Sequence, residues 1–222
     1  LLLAIGVRFD DRVTVKVEKF CEHGTIVHID IDNSELNKNK LVKLPILSDL
    51  KYALERANYI LESMGRTRVS KNYTRFPQWY QQIERWKAEY PLTFKDTEEV
   101  IQPQYVIKTL YELTKGEAII TTGVGQHQMR AAQHFDFRAP RQWLAAGGMG
   151  TMGFGLPAAI GAQFARRGRL VIDVDGDSSM RMNLGELETV TTYDLPVKVV
   201  VLNNFGDGMV KQWQKLFFKG RL

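Results

Sequence analysis

A single cysteine, Cys21, among 222 residues leaves no intramolecular disulfide to form and no companion thiols for a zinc site. No apolar run approaches the roughly 20 residues needed to cross a bilayer, so no membrane segment is expected. LLLAIGV at the start has neither the basic flank nor the cleavage site of a secretory signal. Lys and Arg exceed Asp and Glu, giving a formal charge of +5. The basic residues are scattered among acids with no dense run, so the excess reads as a solvated surface and no nucleic-acid partner is expected. Internal repeats and low-complexity tracts are absent. What remains is a chain with 44% apolar residues, 10% of all residues aromatic, enough for the core of one large domain or two small ones. It opens on Leu1 in a strand pattern, without an initiator Met, and stops at Leu222 shortly after a helical pattern. Both ends read as cuts through a longer protein.

The order of patterns predicts an α/β fold with two parallel-sheet, doubly wound domains, each partial. In the first block, LLLAIGV and TIVHIDID read as strands and NSELNKNK as a polar connection. LPILSDLKYALERANYIL then reads as a short strand entering a helix. The block is expected to span 1–61. A charged, aromatic, proline-containing stretch over 62–101 reads as a linker carrying one helix from Pro77 to Tyr90. The second block, 102–222, runs from a helix ending at Leu113 to the strand of GEAIITTGVG. A glycine-rich loop, a helix over Leu156 to Ala165 and two further strands follow.

Those last two strands carry the strongest chemical signal. RLVIDVDGD delivers Asp177 beyond its carboxyl end, and LPVKVVVLNN delivers Asn203 and Asn204 in the same way after the helical NLGELETVTTYD. Parallel strands joined by a helix bring both ends to one sheet edge, where open α/β sheets bind ligands. A carboxylate and an amide oxygen there suit a small hard cation, magnesium or calcium. Gln126, His127 and Gln128 follow the strand AIITTGVG and are expected at the same edge. An amide and an imidazole there can donate to phosphate oxygens.

Gly148, Gly150 and Gly153 satisfy GxGxxG by letter, yet PRQWLAA precedes them instead of an evident strand, and Asp173 lies within the following strand. A nicotinamide fingerprint requires the opposite on both counts. The glycines therefore read as a loop that lets backbone approach a cofactor, with Gly153 and Gly155 equally explained by helix packing. In GMVKQWQKLFF, Met209, Val210 and Trp213 share a helical face, and composition alone favours plain core packing.

With these residues in view, the chain resembles the acetohydroxyacid synthase family, the large catalytic subunit within the thiamine diphosphate enzymes. The resemblance covers nearly the whole chain, through GVRFDDRVT at Gly6, IVHIDID at Ile26, GVGQHQM at Gly123, PRQWL at Pro140, GGMGTMGFGLPAAIGA at Gly147 and GMVKQWQ at Gly208. It implies that 1–61 is the later part of a central FAD-binding domain, with Gly6, Val7, Arg8, Phe9, Asp10, Asp30, Ile31, Asp49 and Leu50 at the flavin. It implies that 102–222 binds thiamine diphosphate through Gln126, His127, Gly150, Thr151, Met152, Ser178, Ser179 and Met209. Asp177, Asn204 and the Gly206 carbonyl would ligate Mg2+. Asp11, Arg12 and Trp213 would line the pocket for substrate and herbicide.

The implied reaction decarboxylates pyruvate and joins the two-carbon unit to pyruvate or 2-ketobutyrate, the first common step of branched-chain amino-acid synthesis. FAD is structural in it, since no net electrons are transferred. The family's activating glutamate is expected upstream, so no catalytic residue is assigned within the chain and the fragment alone is expected to be inactive. The implied partners are 2-ketoacid substrates, further copies in a homodimer or homotetramer, and a small regulatory subunit. The implied location is cytoplasmic in a bacterium or plastid in a photosynthetic eukaryote. Rival readings are a glyoxylate carboligase or pyruvate oxidase type enzyme, or a catalytically silent homologue. The chain departs from the family pattern in four places: Ser178 and Val15 stand where glycine is usual, Met180 where an aromatic is common, and the tripeptide FGD at Phe205 where QHL is familiar.

Overall fold

The computed structural model describes residues 1–65 and 76–221. The part of the expected linker at 66–75 lies outside the described residues. The chain divides into two compact units, Leu1–Ile83 and Glu84–Leu222.

In the first unit β1 (Leu2–Ile5), β2 (Ile26–Asp30) and β3 (Leu44–Leu47) form a parallel sheet in the order β1-β2-β3. A short helix α1 (Asp11–Thr14) follows β1, and α2 (Leu50–Ser63) follows β3. Asp10 and Asp49 stand at the N-caps of α1 and α2, where their carboxylates accept from Val13 N and Tyr52 N. That satisfies donors a helix start leaves unpaired. Ala4, Phe9 and Ile26 form the core, with Val7, Phe20, Cys21 and Val42 packed around them. α3 (Pro77–Glu89) matches the expected helix to within one residue and spans the division between units.

The second unit contains α4 (Pro103–Leu113), β4 (Ile119–Thr122), α5 (Gln126–His134), β5 (Trp143–Ala145) and α6 (Gly155–Ala165). It continues with β6 (Val171–Gly176), α7 (Asp177–Arg181), a 3-10 turn at Leu184–Glu186, α8 (Leu187–Thr192), β7 (Lys198–Leu202) and α9 (Gly208–Phe217). Its four strands are all parallel, in the order β5-β4-β6-β7. Alternate residues of β6 point to opposite faces. Ile172 and Val174 join Ile120, Ile107 of α4 and Ala131 of α5 in one core cluster, while Val171 packs with Ile119 and with Ala159 and Ala162 of α6 in another. β4 and β6 are buried on both faces, so the polar residues they carry, Thr121 and Thr122 of β4 and Asp173 and Asp175 of β6, are buried as well. Together the two parallel sheets bear out the predicted α/β class.

Two elements differ from the sequence reading. The polar string QHQMRAAQH forms α5, since Ala131 alone of its apolar residues is deeply buried and the apolar stripe is too thin to show in the sequence. PRQWLAA contains β5, three residues long, paired to β4 at Ile120↔Trp143 and stacked through Trp143 on Phe137 at 5.2 Å. The glycine loop is therefore preceded by a strand after all. That premise of the case against a dinucleotide fingerprint is corrected.

Candidate cofactor and metal site

The strand order of the second sheet reverses between β4 and β6. From β4 the chain steps to β5 on one side, then crosses back through α6 to β6 on the other. The carboxyl ends of the two strands flanking such a reversal diverge into a crevice, the usual ligand position in doubly wound sheets. Gly123–Gln126 leave β4 there, Gly176 and Asp177 leave β6, and Asn203 and Asn204 leave the adjacent β7. A cavity of about 820 Å3 opens at these ends. Its wall includes Gln126, His127, Gly150, Met152, Asp177, Ser178, Ser179, Asn204, Gly206 and Met209. Ten of the twelve residues assigned to cofactor, metal or substrate in this block thus come together. Thr151 and Trp213 are not in that wall, and Asp207, which is, had not been singled out.

Local contacts explain how the wall is held. α5 begins at Gln126 with Gly125 before it and no side chain capping its first turn, so its leading N–H groups and dipole favour an anion. The Gln126 side chain donates from Nε2 to Gln212 Oε1 at 3.0 Å, an anchor from α9 that sequence reasoning missed. The imidazole of His127 is buried, with Nε2 3.2 Å from Asp175 Oδ1. A Cβ on Gly125 or Gly176 would approach that ring to 2.8 and 2.9 Å, so both glycines are required for the ring to fit. Gly208 packs so closely that a Cβ there would press on Gln126 Oε1 and Asn204 Nδ2. The signal for it was present in the chain as the glycine opening α9.

Behind the cavity wall lie two carboxylates, Asp173 and Asp175, both fully buried. Thr121 Oγ1 donates to Asp173 Oδ1 at 3.1 Å, and Gly176 N donates to Asp175 Oδ1 at 2.9 Å. Burial first, and then the neighbouring charge of Asp175, push the Asp173 carboxyl up to about 7.

The donor set tests which ion would fit. Among the described residues no group of three or more His, Cys, Asp or Glu side chains is placed to hold a metal, which argues against a zinc-type site. Asp177, Asn204 and Gly206 line the same cavity and offer one carboxylate, one amide oxygen and one backbone carbonyl. Such an all-oxygen, incomplete set suits magnesium completed by water and phosphate. Ser178, the serine at a usual glycine, sits in the first turn of α7 without a positive φ, so its Cβ imposes no backbone strain. Ser179 is buried, and its Oγ accepts from Gly153 N at 2.9 Å. Gly153 and Gly155 are packing glycines: a Cβ on Gly153 would meet Met182 Cβ at 2.9 Å, and one on Gly155 would collide with Asp173.

In the first unit, Gly6–Asp10, Asp30–Ile31 and Asp49–Leu50 all gather at the carboxyl edge of the three parallel strands. The described strands show no reversal of order. Phe9 is buried against Phe20 and His28, so its side chain belongs to the core of this unit. Arg8 donates to Asp10 Oδ2 at 3.1 Å, and Asn39 Nδ2 donates to Arg8 O at 2.8 Å, fixing the loop after β1. Ile31 and Leu50 are exposed. Asp11 and Arg12 pair loosely at 3.9 Å on the exposed α1. Trp213, in the other unit, lies 4.7 Å from the Phe217 ring on a helix with no buried residue, so the core reading of that face does not hold within this chain.

Comparison with known families assigns this architecture. The model of the thiamine pyrophosphate enzyme central domain matches residues 1–57, and that of the thiamine pyrophosphate enzyme C-terminal TPP binding domain matches residues 123–222. Both models describe domains of thiamine pyrophosphate enzymes, and together they cover most of the chain. Within that class it is similar to the acetolactate synthases. It is 54% identical to a probable acetolactate synthase 2, chloroplastic, of Oryza sativa subsp. japonica, over 98% of this chain and 33% of the relative. To acetolactate synthase 2, chloroplastic, of Nicotiana tabacum it is 53% identical over 99% of the chain and 32% of the relative. To acetolactate synthase, chloroplastic, of Arabidopsis thaliana it is 52% identical, again over 99% and 32%. The chain thus spans about a third of the length of the curated relatives it matches. No described helix is long and apolar enough to cross a membrane.

Proposed function

We propose that this chain is the central and C-terminal portion of an acetolactate synthase catalytic subunit, which decarboxylates pyruvate and transfers the acetaldehyde unit to pyruvate or 2-ketobutyrate. The observation that carries the reading is the convergence of Gln126, His127, Asp177, Asn204 and Gly206 on one cavity at the reversal of a parallel sheet. Residues 102–222 form the diphosphate-binding domain, 1–61 the end of an FAD-binding domain and 62–101 the link between them. Thiamine diphosphate, when bound, supplies the stabilisation of the carbanion that the reaction needs. The chain's own part is to position and neutralise. Asp177, Asn204 and the Gly206 carbonyl hold Mg2+, while the uncapped start of α5, Gln126, His127 and Ser178 face the diphosphate.

Gly150, Thr151, Met152, Ser179 and Met209 shape the rest of the cofactor's bed. Gly6, Val7, Arg8, Phe9, Asp10, Asp30, Ile31, Asp49 and Leu50 face FAD, and Asp11, Arg12 and Trp213 face the substrate and herbicide pocket. The full-length protein is a homodimer or homotetramer served by a small regulatory subunit, in a plastid or in bacterial cytoplasm. The fragment alone is inactive because the activating glutamate lies elsewhere in that protein.

The test is calorimetric titration of thiamine diphosphate into the full-length protein with and without Mg2+, alongside product assays on pyruvate, 2-ketobutyrate and glyoxylate. Mg2+-dependent binding weakened at least about tenfold by Asp177→Ala is expected, together with acetolactate as product. Products from glyoxylate would instead favour a carboligase, and binding without Mg2+ dependence would remove the proposed metal site.

A further inference from the structure

The loop from Asn203 to Asp207, which joins β7 to α9, has an unusual backbone. Phe205 adopts φ 57° with a fully formed side chain, and Gly206 adopts φ 154°. A non-glycine residue in that region is held there by its surroundings. Two bonds hold it. Asn203 Oδ1 accepts from Phe205 N at 2.9 Å, and the Lys211 ammonium, one turn into α9, donates back to Phe205 O at 3.2 Å. Lys211 is partly buried, and its Nζ and Cε lie so near Gly206 that a Cβ there would approach them to 2.8 and 2.9 Å. Nζ thus lies behind the loop. Lys211 is not among the residues lining the cavity, whereas Asn204, Gly206 and Asp207 are.

We propose that Lys211 is a positioning residue for the metal site: by bonding Phe205 O it fixes the turn that presents the Asn204 amide and the Gly206 carbonyl to the cavity. The inference rests on the proposed magnesium role of that loop. A cation that donates to the carbonyl just before Gly206 leaves the Gly206 carbonyl itself free to face the other way. Its neighbour Gln212 bonds Gln126, so adjacent residues of α9 brace two walls of one cavity. Since Lys211 lies outside the cavity lining, its role is positioning and not ligation.

The test compares wild-type full-length protein with Lys211→Met and Lys211→Arg, measuring by calorimetry the Mg2+ concentration that gives half-maximal thiamine diphosphate binding. A charge-assisted bond at a partly exposed site predicts a rise of roughly threefold to tenfold for the Met variant. Saturating Mg2+ is expected to restore its full binding capacity, and the Arg variant to recover most of the loss. A purely structural role would instead lower the thermal midpoint and the binding capacity of both variants without moving the Mg2+ requirement. A Met variant within twofold of wild type, or an Arg variant as impaired as Met, overturns the proposal. Should Asp177→Ala abolish Mg2+-dependent binding while Lys211→Met leaves it unchanged, the metal site stands and only the role of Lys211 falls. Should wild type show no Mg2+ dependence, the site reading itself fails.

Discussion

Asp173 and Asp175 stand two residues apart on β6, on the same face, both fully buried, and burial, with the charge of Asp175 added to it, raises the Asp173 carboxyl to about 7. One donor, Thr121 Oγ1, reaches Asp173 Oδ1, and Asp173 Oδ2 has no hydrogen-bond partner among the described residues. A buried carboxylate with one oxygen unpaired is costly when ionised.

The sign of its pH dependence follows. The unfolded carboxyl releases its proton near the ordinary value of 3.8, while the native one keeps it up to about 7. Between these the native state binds the extra proton, so stability falls as pH rises and levels off above about 7. Asp173→Asn removes this contribution. The stability difference between variant and wild type, from denaturant titrations at pH 4 to 8, is expected to move in favour of the variant across that interval. The change is on the order of 4 kcal/mol at most. A difference that stays constant with pH would show that Asp173 is ionised throughout.

Gly153 is held from both sides of its peptide. Its N donates to Ser179 Oγ at 2.9 Å, Asn183 Nδ2 donates to its O at 2.7 Å, and its φ is 80°. Gly153→Ala adds strain at that φ and a collision with Met182 Cβ. A loss of about 2–4 kcal/mol is expected in chemical unfolding.

The glycine-rich loop shows what sequence could convey. Its letters matched a dinucleotide fingerprint, and the two residues that decided otherwise, Asn183 and Ser179, lie 30 and 26 positions away. Strand ends were legible because the Val, Ile and Leu residues of β6 and β7 give way to polar residues at Asp177 and Asn203, and parallel topology then dictates that the two ends meet. β5 was not legible, since three residues carry no periodicity and its existence depends on pairing with β4. The Gln126–Gln212 and Lys211–Phe205 bonds were likewise invisible. They arise from how α9 turns back on the sheet edge, not from any local pattern.

Val15 occupies a position where the family pattern has glycine, and the backbone records the difference. Val15 has φ 59° and ψ −66°, and Lys16 N donates to Thr14 O at 2.7 Å across it, which makes a γ-turn of the strained hand. Its side chain is exposed, so nothing is lost by removing it. Val15→Gly relieves strain of order 1–3 kcal/mol and gives back roughly 0.5–1 kcal/mol in unfolded-state entropy. A net stabilisation of about 1 kcal/mol is expected by thermal unfolding, and a destabilised variant would contradict the strain.

Gly208 provides the converse test, a glycine needed by the site and not by the fold. It opens α9 without a positive φ, so alanine there is tolerated by the backbone and is the better helix former. The added Cβ would nevertheless press on Gln126 Oε1 and, at 2.6 Å, on Asn204 Nδ2. Both are ends of side chains that can swing aside, but swinging aside breaks the Gln126–Gln212 bond and turns the Asn204 amide from the cavity. Gly208→Ala is therefore expected to leave stability within about 1 kcal/mol of wild type. Mg2+-dependent thiamine diphosphate binding to the full-length protein is expected to weaken by roughly tenfold, the worth of one or two displaced hydrogen bonds. Calorimetry and thermal unfolding on the same sample separate the two effects. A variant that unfolds early but binds normally would place Gly208 in the packing of α9 instead of the cofactor site.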